Sequence, residues 1–450
     1  MSGEAIRQEN TDSGGFAYRL IRRLIDVRPA ELRALGWAWL YIFSLLFSYY
    51  ILRPVRDEAG VAGGVENLQW LFTGTLLCMI AANPPFAALV ARLPRVKFIA
   101  ITYRFFLANL VLFAVLLQVA TEAQNIWVGR LFFIWVSVFN LFVVSVFWAL
   151  MVDLFDAEQG KRLFGFIAAG ATVGGIVGST VTALLAKHVA PIWLLLGSAL
   201  LLEAAVLCVR RLSQLSGVLE RRSAAEGDEA PIGGSGFAGL KHALGSTYLI
   251  NVCFYILLFA ITSTFLYFQQ AEIVRQSFTD RGARTAFFAR IDLWVNVLTL
   301  GAQLFLTNRV LRVFGVALTL AALPLISMLG FGALALAPTI TALVVYQVIR
   351  RAGNFAFARP SREVLYTVVA REDKYKAKNF IDTVIYRFGD QAGAWSYAGL
   401  GALGLATTGV AVLAVPISLV WLINALWLGR RQNALETRHA GDLPATQSSR

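Results

Sequence analysis

Charge is scarce in this chain, and so are cysteine, histidine and methionine. Only 15% of its 450 residues are charged, and it holds 3 Cys, 3 His and 4 Met, whereas soluble chains carry about a quarter charged residues. Low charge combined with 58% hydrophobic residues and a mean hydropathy of +0.65 excludes a soluble globular protein of this length. Cys78, Cys208 and Cys253 lie in apolar stretches without pairing or metal-ligand spacing, which excludes a disulfide framework. His188, His242 and His439 are far apart, so neither a zinc site nor a His-based catalytic set is expected. "GSGFAG" at 234–239 follows no strand, and "EQGKR" at 158–162 lacks both the first glycine and the Ser/Thr of a phosphate loop. The expectation is no metal, no cofactor and no enzyme.

What the chain has in abundance is apolar sequence in runs long enough to span a bilayer, about 20 residues each. The fold class expected is an all-α polytopic membrane protein of about twelve helices, over residues 32–53, 67–91, 98–119, 126–151, 163–187, 190–209, 246–270, 286–307, 313–337, 340–358, 379–401 and 404–429. The net charge of +13 is explained without nucleic acid, because Lys and Arg collect in alternate gaps: Arg19, Arg22, Arg23 and Arg28; Arg92, Arg95 and Lys97; Lys161 and Arg162; Arg210, Arg211, Arg221 and Arg222. Arg309 and Arg312, then Arg371, Lys374, Lys376 and Lys378, then Arg430 and Arg431 continue the series. The positive-inside rule then places both termini in the cytoplasm, consistent with an even number of spans. No short cleavable signal is expected, since the polar opening segment leads into a full-length span. A plasma membrane, and a monomer, are the expected setting.

Residues 210–245 are polar and rich in Gly, Ser and Ala, and read as a cytoplasmic linker. The expected organisation is a cytoplasmic segment 1–31, a six-helix bundle 32–209, the linker 210–245, a second six-helix bundle 246–429 and a tail 430–450. "ARLPRVKF" answers "TNRVLRVFG", and Gly174 and Gly178 align with Gly389 and Gly393 at a constant shift of 215 residues. Two repeated bundles joined in the cytoplasm are a major-facilitator-type architecture.

Charges inside the spans are the strongest functional signal, because each costs about 2.5–3.5 kcal/mol to insert. Arg350 and Arg351 fall near the middle of the tenth span and point about 100° apart, so one can line a cavity while the other meets a carboxylate. The eleventh span carries Asp382, Tyr386, Arg387, Asp390 and Gln391, with Asp382, Tyr386 and Asp390 spaced by four on one stripe. The eighth carries Arg290, Asp292 and Asn296, and the seventh Asn251, Gln269, Gln270 and Glu272. At the end of the first span Arg53 and Asp57, four apart, can pair, with Arg56 beside them. Polar groups on several helices indicate one central cavity. Structural ion pairing is the competing explanation.

Three blocks carry a family resemblance: "YYILRPVRDEAG", "FWALMVDLFDAEQGKRLFGFIAAGATVGGIVGS" and "RPSREVLYTVVAREDKYKAKNFIDTVIYRFGD". Over most of residues 30–430 the chain resembles the nucleotide translocases, the ATP/ADP antiporters within the major facilitator superfamily, as a divergent bacterial member. The resemblance implies alternating access and exchange or uptake of adenine nucleotides. It also implies that Arg56 holds the basic position of the first-span motif, with Arg53 and Asp57 as its neighbours. The family's fourth-span glutamate has no counterpart before Phe147-Trp148, where Asn140 or Ser137 falls closest, and Asp390 stands where the plastid branch has a lysine.

The expected site presents Arg53, Arg56, Arg350, Arg351 and Arg387, with Asn140 and Tyr386, to a small anionic solute such as ATP or ADP. Guanidinium suits phosphate because its planar fork donates two parallel bonds and keeps its charge. Asp57, Asp292, Asp382 and Asp390 would pair with arginines or carry a coupling proton. Tyr50, Tyr346 and Tyr386 offer faces to a base. The alternatives are a carrier of another organic anion or a lipid-like solute, and a non-transporting membrane scaffold or sensor.

Overall fold

The computed structural model describes residues 27–29, 31–155, 157–219, 246–369, 377–378 and 380–441. Residues 1–26 of the expected N-terminal segment, 220–245 of the linker and 442–450 of the tail lie outside the described residues. So do Arg371, Lys374 and Lys376.

Every described element is helical, because a backbone in hydrocarbon must satisfy its own polar groups. The order is α1 Leu32–Ala62, a short turn Val65–Asn67, α2 Leu68–Arg92, α3 Arg95–Val119, α4 Glu122–Leu154, α5 Ala157–Leu185 and α6 Pro191–Leu219. After the linker come α7 Thr247–Ser277, α8 Arg281–Phe305, α9 Thr307–Leu336, α10 Ile340–Gly353, α11 Arg359–Leu365, α12 Tyr386–Ala402 and α13 Thr407–Gly441. Two π-helical turns interrupt the series, Asn354–Ala358 between α10 and α11 and Ile381–Ile385 before α12. Caps set several ends: Asp280 accepts from the Ala283 N–H to start α8, and Thr339 from the Ala342 N–H to start α10. Gly315, at φ +68°, breaks α9 near its start, in backbone that a side chain would disfavour.

Among the described residues nine helices are long and apolar enough to cross a membrane: α1 to α7, α9 and α13. The stretches that fall short, α8, α10 with α11, and α12, include those that carry Asp292, Arg350, Arg351, Arg387 and Asp390.

Contacts divide the chain into two compact units. One is built from the chain up to Arg53, Ala81–Ala120, and the sequence from Val136 into the linker. The other takes Pro54–Ile80, Thr121–Trp135 and everything after the linker.

In the first unit Gly174 and Gly178 seat α5 against the backbone of α1. A Cβ at Gly174 would lie 2.5 Å from the Phe43 carbonyl oxygen, and one at Gly178 2.7 Å from that of Phe47. A buried hydroxyl pair, Tyr41 with Tyr103, joins α1 to α3, and Tyr103 donates to the Val143 carbonyl on α4 at 3.2 Å. Glu31, 3% exposed just before α1, accepts from Arg162 at 3.0 Å, Gln159 at 3.1 Å and the Arg28 N–H at 3.0 Å. Burial alone would raise its pKa, but these hydrogen bonds and the Arg162 charge hold the carboxyl below the usual carboxylate range. A depressed carboxylate pKa contributes stability at neutral pH that disappears as the pH falls through the folded-state value. Wild type is therefore expected to outlast Glu31→Gln on heating at pH 7, by about 2 kcal/mol, with the gap closing below about pH 4. Thermal midpoints in detergent measure this, and a gap of equal size at both pH values would contradict it.

In the second unit the same kind of seat recurs. A Cβ at Gly389 would come 2.6 Å from that of Ala260, and one at Gly393 2.9 Å from that of Thr264, placing α12 against α7. Trp421 of α13 is fully buried between Tyr255 and Phe259 of α7, with ring centroids 5.3 and 6.0 Å away. These helices fix the frame on which the interior charges are mounted.

Candidate functional site

Arg350, on α10, is 4% exposed. Its Nε donates to the Ser327 hydroxyl of α9 at 3.0 Å, Nη1 to Ser263 at 3.0 Å, and Nη2 to the Thr262 hydroxyl at 3.0 Å and the Phe259 carbonyl at 3.4 Å, all three on α7. The cradle holds a permanent cation with neutral oxygens only, joining three helices. Nearby, Gln347 of α10 donates to Gln270 of α7, a second buried polar tie between the same helices.

Arg351, one residue on, points to α8, where its Nη1 meets Asp292 at 2.7 Å with side-chain exposures of 15% and 2%. The 100° step between adjacent helical residues gives the two arginines different partners. Asn296, one turn along α8, donates to the Asp292 carbonyl. The backbone then enters the π turn Asn354–Ala358, an irregularity often found at functional positions.

On α12 Arg387 pairs with Asp390 at 3.2 Å, the arginine 39% exposed and Asp390 nearly buried. Tyr386 sets its ring 6.0 Å from that of Phe259, and the Arg387 guanidinium lies 5.9 Å from the Tyr386 centroid. Asp382 is exposed while Asp390 is buried, and it lies within the π turn Ile381–Ile385, whose extra residue per turn shifts its register against the helix after it.

At the end of α1 Asp57 is engaged by Arg56 at 2.6 Å and by the Tyr267 hydroxyl of α7 at 3.0 Å. Arg56 also lies 5.2 Å from the Phe133 ring centroid. Beside it, Glu58, 4% exposed, receives a fork from Arg281, Nε at 3.1 Å and Nη2 at 3.2 Å, and a third bond from Arg284 at 2.9 Å. Arg53 and Asn140 belong to the other unit, where the Arg53 guanidinium stands 5.9 Å from the Tyr50 ring and Asn140 is half-buried on α4.

The second unit thus holds Arg56, Asp57, Asp292, Arg350, Arg351, Asp382, Tyr386, Arg387 and Asp390, in separate local contacts. It adds two features that the sequence alone did not single out. Glu58 is one, since nothing local marks a partner 223 residues away. Arg362 is the other, and the helical continuation of "RPSREVL" past the expected end of the tenth span at 358 was the signal for it. Among the described residues no group of three or more His, Cys, Asp or Glu is placed to hold a metal ion.

No family model matches the chain. It is 25% identical over 215 residues to ADP,ATP carrier protein 1 of Chlamydia trachomatis, covering 42% of this chain and 40% of that one. ADP,ATP carrier protein 1 of Chlamydia pneumoniae is 23% identical over 231 residues, 45% of each. The match thus spans less than half the length of these curated relatives. Among solved structures, a bacterial homologue of the iron transporter ferroportin superposes with a TM-score of 0.60 at 10% identity, over 90% of this chain and 99% of the other. A bacterial homologue of the human lysosomal transporter Spinster does so at 0.55 and 14%, over 93% and 100%. In fold the chain is an all-α polytopic integral membrane protein like these solved transporters, and in sequence it is similar to the ADP,ATP carrier proteins of Chlamydia over less than half of its length.

Proposed function

We propose that this secondary transporter carries a nucleotide anion by alternating access. The observation that carries the reading is Arg350. A guanidinium keeps its charge at any working pH, and here it is buried among hydroxyls and a carbonyl, with no carboxylate among its hydrogen-bond partners in the described residues. A buried cation balanced only by neutral dipoles favours the approach of an anion. Arg351 and Arg387 add charge held in place by Asp292 and Asp390, and Tyr386 adds a ring face suited to a base. Arg56, with Asp57 beside it, extends the charged surface at the end of α1, and Arg53 and Asn140 are proposed as solute contacts in their own unit. The carriers that resemble this chain bear names that agree with an adenine nucleotide as cargo.

The setting proposed with it is a monomer in a bacterial inner membrane with both termini cytoplasmic. In it α8, α10 with α11, and α12 also cross, making twelve spans in two halves joined by residues 210–245. Charge within those three would then face protein or water rather than lipid.

Uptake of labelled ATP into oriented proteoliposomes tests the cargo. Vesicles loaded with ADP are expected to take up at least about tenfold more label than buffer-loaded ones, and Arg350→Gln to lose about tenfold or more of that exchange, as removal of a charge-assisted bond implies. Equal uptake into ADP-loaded and buffer-loaded vesicles, with uptake driven by a pH gradient, points to proton coupling instead of exchange. No nucleotide uptake under any loading, with transport of another organic anion, overturns the reading.

A further inference from the structure

Arg362 sits on α11, beyond the π turn that comes after Arg350 and Arg351. Its guanidinium carbon lies 5.2 Å from the Phe259 ring centroid, and that of Arg350 lies 5.4 Å from the same ring. The two cations differ in how they are used. Arg350 commits donors to four oxygens, whereas among the described residues Arg362 makes no hydrogen bond and has no carboxylate within 4.0 Å of its nitrogens. It is half-buried, so water reaches it only in part. A guanidinium laid against an aromatic ring is held through its face, and the N–H groups along its edge stay available. Phe259 in turn packs on Tyr386, whose ring has Arg387 beside it. Arg350, Arg362 and Arg387 are all near enough to act electrostatically on the Tyr386 hydroxyl. Asp390 occupies Arg387, and Asp382 acts on Arg362 only from beyond ion-pair distance.

We propose that Arg362, stacked on Phe259, together with Arg387 across Tyr386, forms a subsite for a phosphate group of the solute. The proposal rests on the reading of the chain as a carrier of an anionic solute. Arg362 supplies the bidentate fork, Arg387 the second charge, and Arg350, with four of its five N–H groups committed, stiffens the ring on which Arg362 lies. Asp382 is the competing anion that an arriving phosphate displaces from influence over Arg362. A structural role, in which Arg362 serves only as the distant counter-charge of Asp382, makes the opposite forecast for that carboxylate.

Equilibrium binding of ATP, ADP, AMP and adenosine to the purified full-length chain in detergent separates these outcomes. Wild type is expected to bind ATP and ADP more tightly than adenosine. Arg362→Gln is expected to weaken ATP by about tenfold or more while moving adenosine by less than about twofold. Asp382→Asn is expected to tighten ATP, by removing like charge from the phosphate. Arg362→Lys keeps the charge without the fork and is expected to fall between wild type and the glutamine variant. It also serves where Arg362→Gln does not fold, an ATP-to-adenosine ratio lowered in Arg362→Lys then supporting the subsite and an unchanged ratio overturning it. ATP and adenosine weakened equally, or Asp382→Asn weakening ATP as Arg362→Gln does, overturns the subsite while leaving the transport reading intact. Wild type that binds none of the phosphorylated ligands overturns that reading, and the subsite falls with it.

Discussion

Asp292→Asn is expected to destabilise the protein by on the order of 3 kcal/mol. The Arg351 guanidinium, 15% exposed, then sits in the interior without the carboxylate that now lies 2.7 Å away. Removing one member of a buried pair costs more than removing both, because a lone charge in low dielectric has nothing to balance it. The double variant Asp292→Asn/Arg351→Gln should accordingly recover most of the stability lost by the single change. Thermal midpoints of the four proteins in one detergent measure the coupling. If the double variant is no more stable than Asp292→Asn, the pair does not hold α8 to α10 in the way its geometry implies. Recovery of fold without recovery of the proposed transport would assign Arg351 a second duty towards the solute.

Glu58→Ala is expected to have an effect of similar size at a different place. Three bonds from Arg281 and Arg284 converge on this one carboxylate, and Arg284 is only 11% exposed. With the carboxylate gone, two like charges face each other at the start of α8, and the tie to the end of α1 is lost. Amide exchange across Asp280–Arg284 is expected to quicken by about tenfold or more, as loss of well over 1.4 kcal/mol of local stability implies. Reversing the charges, with Glu58→Arg alongside Arg281→Glu and Arg284→Glu, should restore much of the protection. Exchange unchanged in Glu58→Ala would show that the Asp280 cap and the apolar packing hold this corner unaided.

Much of the fold is legible in the sequence, and the parts that are not have physical causes. Hydropathy locates the helices because lipid demands an apolar run, but it stops short of their ends. α1 continues to Ala62, past the expected 53, since a helix leaving the membrane keeps its backbone bonds while its side chains turn polar. The different partners of Arg350 and Arg351 are a consequence of helical geometry alone. The position of Asp382 is not, because a π turn leaves no reliable mark in sequence and shifts everything before it by a residue. The Glu58 cluster and the Arg362 stack join residues far apart in the chain, 223 positions in the first case and over 100 in the second. A single sequence holds no record of such pairings. Likeness to solved transporters fixes the fold, whereas the sequence similarity to the ADP,ATP carrier proteins covers less than half of this chain.

The four glycines at which α5 meets α1 and α12 meets α7 bear on motion as well as packing. At each, the glycine-bearing helix lies against the other with no side chain of its own between them. Helices that interlock through large side chains behave like meshed gears, because sliding one along the other must lift every ridge out of its groove. At these positions there is no tooth to lift, so a small axial slip meets little resistance, as at a plain bearing. Any larger residue there would add contact and, in the same stroke, a brake.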